Sequence, residues 1–142
     1  MAEAIVNTQL GATWQAFSAG THPTGAVHPV AIQVLAEIRI EHGGASKSLE
    51  EFRDQDFDMI VTVCDSAAEE CPVWLGRGRK VHLGFRDPAK AVGSEAEVLT
   101  VFRQVRDTIA ALMIPLLENS ASVLFPLSQT PSPAGGCERQ GN

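Results

Sequence analysis

The sequence predicts an α/β domain built around a parallel β-sheet. Apolar strand-like runs alternate with segments of helical periodicity, which is the order from which parallel sheets are assembled. The run from Phe57 to Val63 is apolar and rich in β-branched residues, as is typical of a parallel strand buried on both faces. Ser-x-x-Glu capping boxes, which mark helix starts, begin at Ser48, Ser66 and Ser94.

The remaining elements follow from apolar periodicity and from breakers. In chain order we predict a helix over 1–10, a strand over 13–17, a helix from Pro29 to about 43–44, a short helix over 49–53, strands over 57–63 and 79–85, and a long helix from Ser94. The long helix carries an apolar stripe that includes Phe102, Val105, Ile109 and Leu112. It should end before Pro115 or kink there, because proline lacks the N–H that an α-helix needs.

Length and composition limit the kind of protein. A chain of 142 residues supports one domain, over 1–118, and the Ser-, Pro- and Gly-rich residues 119–142 are predicted to form a flexible tail. The net charge of −6 argues against a nucleic-acid partner. No apolar run is long enough to cross a membrane, and no signal-peptide pattern opens the sequence. We therefore expect a cytoplasmic protein.

The three cysteines are the main candidates for chemistry, because cytosolic thiols that matter are usually catalytic or redox-active. Cys64 follows the buried strand, at the end where parallel sheets bind ligands. If 64–71 were helical, Cys64 and Cys71 would lie about 10 Å apart along the helix axis, whereas a disulfide needs Cα atoms within about 7 Å. A redox switch that unwinds the segment and a pair of structural cysteines both remain open. Cys137 is left over, and the C-x6-C spacing predicts no metal or other cofactor.

Several segments together resemble the low-molecular-weight phosphatase fold, and specifically its thioredoxin-coupled arsenate reductases. The matching stretches occur in the family's order from Met1 to about Leu117; they are MAEAIVN at 1–7, FSAGT at 17–21, VHPVAIQVLAE at 27–37, FDMIVTVCDSAAEECPV at 57–73, FRDP at 85–88 and FRQVRDTI at 102–109. The resemblance implies a flavodoxin-like fold, in which helices cover both faces of a parallel sheet.

The resemblance also implies a mechanism. In the family, the cysteine of a Cys-x5-Arg loop attacks arsenate. A second cysteine, matched by Cys64, displaces arsenite, and a third, matched by Cys71, takes over the disulfide for reduction by thioredoxin. Asp87 matches the aspartate that protonates the leaving oxygen, although without the resemblance it would be read as a turn residue before proline.

The sequence departs from the family at its start. The Cys-x5-Arg loop should end just before Met1, so the first strand and the loop are missing from these residues. We therefore expect that this polypeptide alone reduces no arsenate, and that its sheet has either a gap or the 13–17 strand moved against 57–63. The alternatives are a non-catalytic, thiol-bearing binding module and a protein-tyrosine-phosphatase relative. Some family members bind potassium near the position of Lys47, whose ammonium could replace that ion.

Overall fold

The structure is a computed structural model that describes residues 1–63 and 76–124. Three helices dominate it: α1 (Ala2–Gln9), α2 (Pro29–Glu37) and α3 (Glu95–Leu124). Two parallel strands, β1 (Met59–Thr62) and β2 (Arg79–His82), pair in register from Met59 opposite Arg79 to Thr62 opposite His82. Short 3-10 helices cover Leu49–Phe52 and Pro88–Lys90. None of the helices in the described part of the chain combines the length and apolar character needed to cross a membrane.

Helix α3 packs against both α1 and α2 and forms the centre of the core. Ile5 of α1 and Leu35 of α2 are fully buried beside Val105, Ile109 and Met113 of α3. The side chains of Met59, Val61 and Leu83 pack onto the same cluster. The predicted stripe on α3 is confirmed except at Leu112, which is 47% exposed while its neighbour Met113 is buried.

The helix starts predicted by the capping boxes at Ser48 and Ser94 are confirmed, whereas Ser66 lies outside the described residues. The Ser48 backbone N–H donates to Glu51 Oε1 at 3.0 Å, and Ser94 makes the equivalent bond to Glu97 Oε2 at 2.7 Å. Helix α2 ends earlier than predicted, because Arg39 adopts a left-handed φ of 61° and the Ile40 N–H bonds back to the Leu35 carbonyl oxygen at 3.0 Å. Those two features form a Schellman motif, which ends the helix.

Helix α3 does not end before Pro115. It continues through this proline to Leu124, and residues 125–142 lie outside the described part. The predicted domain boundary at residue 118 therefore falls within α3. Because proline removes only one hydrogen bond from a long helix, the apolar contacts of Met113 and Leu117, both in the core, hold the helix together on either side of it.

The predicted strand over 13–17 is wrong. Residues 11–13 form a turn, and residues 14–19 adopt no regular structure. The backbone of Ala16 bonds to the side chain of Asn7 instead of to a neighbouring strand: its N–H donates to Asn7 Oδ1 at 2.7 Å and its carbonyl accepts from Asn7 Nδ2 at 2.9 Å. Whether a segment forms a strand depends on a partner strand. Here the side-chain amide of Asn7 satisfies the backbone groups of Ala16 in place of such a partner.

The sheet is also less buried than predicted. All four residues of β1 are only partly buried, and both strands are shorter than the predicted 57–63 and 79–85. A cavity explains the difference, because β1 pairs with β2 on one edge while its other edge lines an open space. The gap expected from the sequence is therefore present.

Candidate functional site

A cavity of about 380 Å³ lies between β1 and the irregular segment 14–21. Its apolar walls come from Val6 of α1, from Met113 and Leu117 of α3, and from Leu49 and Phe52. Polar groups are few and include Glu3 and Ser18. The cavity reaches Thr62 and Val63, and so it opens at the carboxyl end of β1, where parallel sheets place their ligands.

The carboxyl ends of β1 and β2 lie side by side because the strands are parallel. Thr62 and His82 occupy matching positions, and Thr62 Oγ1 lies 2.8 Å from His82 Nδ1. Cys64 follows Thr62 by two residues in the sequence, but Cys64 and Cys71 both lie outside the described residues, as does Cys137. The Thr62–His82 pair was not predicted, since only the register of the two strands brings these residues together.

Asp87 lies in the turn that follows β2. Its Oδ1 accepts a hydrogen bond from the Ala89 backbone N–H at 3.0 Å, so the side chain caps the short helix Pro88–Lys90. Its side chain is partly exposed. A proton donor needs access to the reacting group, and the partial exposure is compatible with that role. The capping contact gives Asp87 a structural role as well.

Glu3, which lines the cavity, forms an ion pair with Lys47. Lys47 Nζ lies 3.1 Å from both carboxylate oxygens of Glu3, and Ser18 Oγ donates to the same carboxylate. Burial opposes ionisation of Glu3, but the hydrogen bonds from Ser18 and Lys47 and the charge of Lys47 outweigh it, and the pKa of Glu3 falls below its ordinary value. Potassium replacement by Lys47 stays a prediction; the structure shows that its ammonium neutralises Glu3.

Metal ligands do not converge within residues 1–63 and 76–124, where no three His, Cys, Asp or Glu side chains come together. A phosphatase-type anion loop also needs a strand before it and a helix N-terminus after it. Cys71 and Arg77 also have Cys-x5-Arg spacing, which was not among the predicted motifs. Arg77, however, is followed by Gly78 and then by strand β2 rather than by a helix.

Known proteins match most of this chain. The family described as low molecular weight phosphotyrosine protein phosphatase matches residues 1–123. An arsenate reductase of Halalkalibacterium halodurans is 40% identical over 110 residues, which cover 77% of this chain and 78% of that protein. The arsenate reductase of Bacillus subtilis is 35% identical over 113 residues, with the same two coverages. The crystal structure of an arsenate reductase from Archaeoglobus fulgidus matches with a TM-score of 0.59 and 26% identity, over 78% of this chain and 86% of that one.

Proposed function

Because the chain belongs to the arsenate reductases of the low-molecular-weight phosphotyrosine protein phosphatase family, we propose that it carries the thiol-disulfide half of arsenate reduction. The observation that supports this most is its 40% identity to an arsenate reductase over 110 residues. In this proposal Cys64 displaces arsenite, Cys71 takes over the disulfide, and Asp87 protonates the leaving oxygen. Thioredoxin then reduces the Cys64–Cys71 disulfide.

The electron count is consistent with that division of roles. Reducing arsenate to arsenite takes two electrons, and two thiols oxidised to one disulfide supply them while one oxygen leaves as water. Thiol-disulfide exchange then moves the disulfide onto Cys64 and Cys71 without further oxidation, because one S–S bond breaks as another forms. The dithiol of thioredoxin finally restores both thiols. A cytoplasmic location suits this cycle, because thiols are kept reduced there.

The first step needs an arsenic-bearing thiol that these 142 residues do not offer in a suitable setting. Arg77, six residues after Cys71, leads into β2 rather than into a helix. Without backbone N–H groups and an arginine to hold the oxyanion, the attack on arsenate is not supported. We therefore propose that the 142-residue polypeptide alone reduces no arsenate.

Two assays on the purified 142-residue chain test the proposal. With arsenate, thioredoxin, thioredoxin reductase and NADPH, we expect no arsenite above the level of a Cys64→Ser control; arsenite production that depends on Cys64 would overturn the inactivity. In the second assay the chain is oxidised and mixed with reduced thioredoxin. Thioredoxin should reduce a Cys64–Cys71 disulfide, and Cys137→Ser should behave like the parent.

The second assay also separates the enzyme family role from the alternative, a non-catalytic binding module that carries thiols. A binding module has no need for a disulfide between Cys64 and Cys71. If peptide mapping of the oxidised chain finds no such disulfide, or if thioredoxin does not reduce it, the result contradicts the redox role and supports the non-catalytic binding module.

A further inference from the structure

Positive charge is concentrated along β2 and the turn and short helix that follow it. Of the 11 lysine and arginine residues in the chain, those between positions 77 and 90 are Arg77, Arg79, Lys80, Arg86 and Lys90, and all of them are exposed. The same stretch holds a single carboxylate side chain, although the chain as a whole has a net charge of −6. We refer to these basic residues as the cationic strip.

The chain's own carboxylates do not neutralise the cationic strip. Within residues 1–63 and 76–124, the ion pairs use lysine and arginine residues outside the strip. Asp58, at the amino end of the sheet, bonds to Arg79 through the two backbones. Asp87 lies within the strip's own stretch, but its carboxylate accepts from the Ala89 N–H. The positive field of the strip is therefore available to a partner.

The cationic strip lies close to both ends of the segment that carries Cys64 and Cys71. Lys80 precedes His82 by two residues on the same face of β2, which is a distance of about 7 Å. His82 is opposite Thr62 in the strand register, and Cys64 follows Thr62 by two residues. At the other end, the strip begins six residues after Cys71, which a chain spans in at most about 22 Å. A protein interface of about 800 Å² per partner is roughly 30 Å across, so a protein that reaches this segment covers part of the strip.

We propose that the cationic strip is the docking surface for an acidic protein reductant, whose carboxylates around its dithiol face Lys80 and Arg86. The inference rests on the proposed function, in which thioredoxin reduces the Cys64–Cys71 disulfide. The partner's dithiol is oxidised to a disulfide as these two thiols re-form. Opposite charge at the contact raises the rate of encounter and orients the partner. Orientation matters here, because the acidic remainder of the chain repels an acidic protein.

Nucleic acid suits the strip less well than an acidic protein does. A DNA duplex carries a negative charge about every 1.7 Å along its axis and would extend past the strip onto acidic surface. Single strands are bound by stacking their bases on aromatic side chains, and Phe85, the only Phe, Trp or Tyr between positions 77 and 90, is buried. A protein partner instead matches the strip locally, within the roughly 8–10 Å over which charges act in physiological salt.

The test measures the second-order rate constant for reduction of the oxidised 142-residue chain by a thioredoxin that has a net negative charge at pH 7. Lys80→Glu and Arg86→Glu are compared with Arg39→Glu, which reverses an exposed cation outside the strip. At about 0.1 M NaCl, where charges act over about 10 Å, we expect each strip variant to react at least ~3-fold more slowly than the parent. At about 1 M NaCl, where they act over about 3 Å, the difference should shrink below ~1.5-fold. Arg39→Glu should stay within ~1.5-fold of the parent at both salt concentrations.

Dithiothreitol, an uncharged dithiol, is the control reductant and should reduce the parent and all variants at equal rates. Equal rates with thioredoxin for the parent and both strip variants would overturn the docking surface and leave the proposed function standing. A parent that thioredoxin does not reduce would reject both. If Lys80→Glu also slowed dithiothreitol, or if Arg39→Glu slowed thioredoxin equally, the effect would belong to the disulfide or to the net charge, and the docking surface would be rejected. Parent dimers in light scattering that Lys80→Glu disrupts would assign the strip to a second copy and would equally reject it.

Discussion

The side-chain amide of Asn7 bonds to both backbone groups of Ala16, at 2.9 and 2.7 Å. An amide side chain offers the same donor and acceptor as a peptide group, so Asn7 acts towards Ala16 as a neighbouring strand would. This pairing fixes segment 14–21 to helix α1 and keeps it away from β1. The cavity therefore depends on Asn7 as much as on the residues that line it.

Replacing Asn7 should weaken the fold. Asn7→Ala removes both bonds to Ala16, and part of the loss is offset by the higher helix propensity of alanine. We expect the free energy of unfolding to fall by about 1–2 kcal/mol, measured by urea denaturation. Gln9→Ala is the matched control, since Gln9 is an exposed amide on the same helix; equal effects of the two changes would contradict the role given to Asn7.

Gly78 controls how β2 begins beside β1. Its φ is 121°, and a Cβ at this position would lie 2.2 Å from the Phe57 carbonyl oxygen. Gly78→Ala should therefore lower the free energy of unfolding by about 2–4 kcal/mol. Gly43→Ala is the control, because no atom lies within 4 Å of the added Cβ, and its effect should stay within about 0.5 kcal/mol. A neutral Gly78→Ala variant would show that the strands can shift to relieve the contact.

Local patterns predicted the helices and the two parallel strands β1 and β2, but they wrongly predicted a strand over 13–17 and a fully buried sheet. The capping boxes at Ser48 and Ser94 involve residues three apart, so the sequence alone shows both partners. Glu3 and Lys47 lie 44 positions apart, and no local signal joins them. The strand predicted over 13–17 failed for the same reason: whether an apolar segment becomes a strand depends on its neighbour, which the segment itself does not specify.

The candidate site likewise has features that could be predicted from the sequence and features that could not. Asp87 was predicted from its family context and lies in the turn after β2, and its role as proton donor stays a prediction. The Thr62–His82 pair and the cavity were beyond local inference, because they arise from strand register and from the position of segment 14–21. The roles of Cys64 and Cys71 stay predictions, since both residues lie outside the described part of the chain.

The Glu3–Lys47 pair should make stability depend on pH. The pKa of Glu3 is lowered on folding from its ordinary value of 4.5, so the folded state holds its proton less tightly than the unfolded state. The stabilisation is therefore fully present above pH 4.5 and is lost as the pH falls through the lower, folded pKa. Lys47→Met should reduce stability at pH 7 by about 1 kcal/mol and flatten its decline below pH 4.5.

Urea denaturation of the Lys47→Met variant from pH 7 to pH 3 measures both effects. Arg53→Met is the control, because Arg53 pairs with Glu50 on the surface, where the two side chains are 69% and 66% exposed. Such a pair contributes little, and its loss should leave the pH profile unchanged. Equal pH profiles for Lys47→Met and the parent would show that Lys47 does not set the ionisation of Glu3.

Asp87 should tolerate a change that keeps its cap. Asp87→Asn retains a side-chain oxygen for the Ala89 N–H, whereas Asp87→Ala removes it. We expect Asp87→Ala to lower the free energy of unfolding by about 1 kcal/mol and Asp87→Asn to change it much less. Equal losses in the two variants would mean that the charge matters rather than the cap. The asparagine variant thus removes the acid and leaves the turn intact.

Cys64 should be the most reactive thiol. It lies two residues after Thr62, the last residue of β1, and the capping box at Ser66 predicts a helix start just beyond it, whose dipole favours the thiolate. At pH 7 we expect iodoacetamide below one equivalent to label Cys64 about threefold to tenfold faster than Cys71 or Cys137. Peptide mapping by mass spectrometry of the reduced chain measures the labelling of all three thiols, and in the Cys71→Ser variant Cys64 is compared with Cys137 where no Cys64–Cys71 disulfide can form. Equal labelling of Cys64 and Cys137 would mean that Cys64 has no activated environment, and the role proposed for it in displacing arsenite would lose its chemical basis.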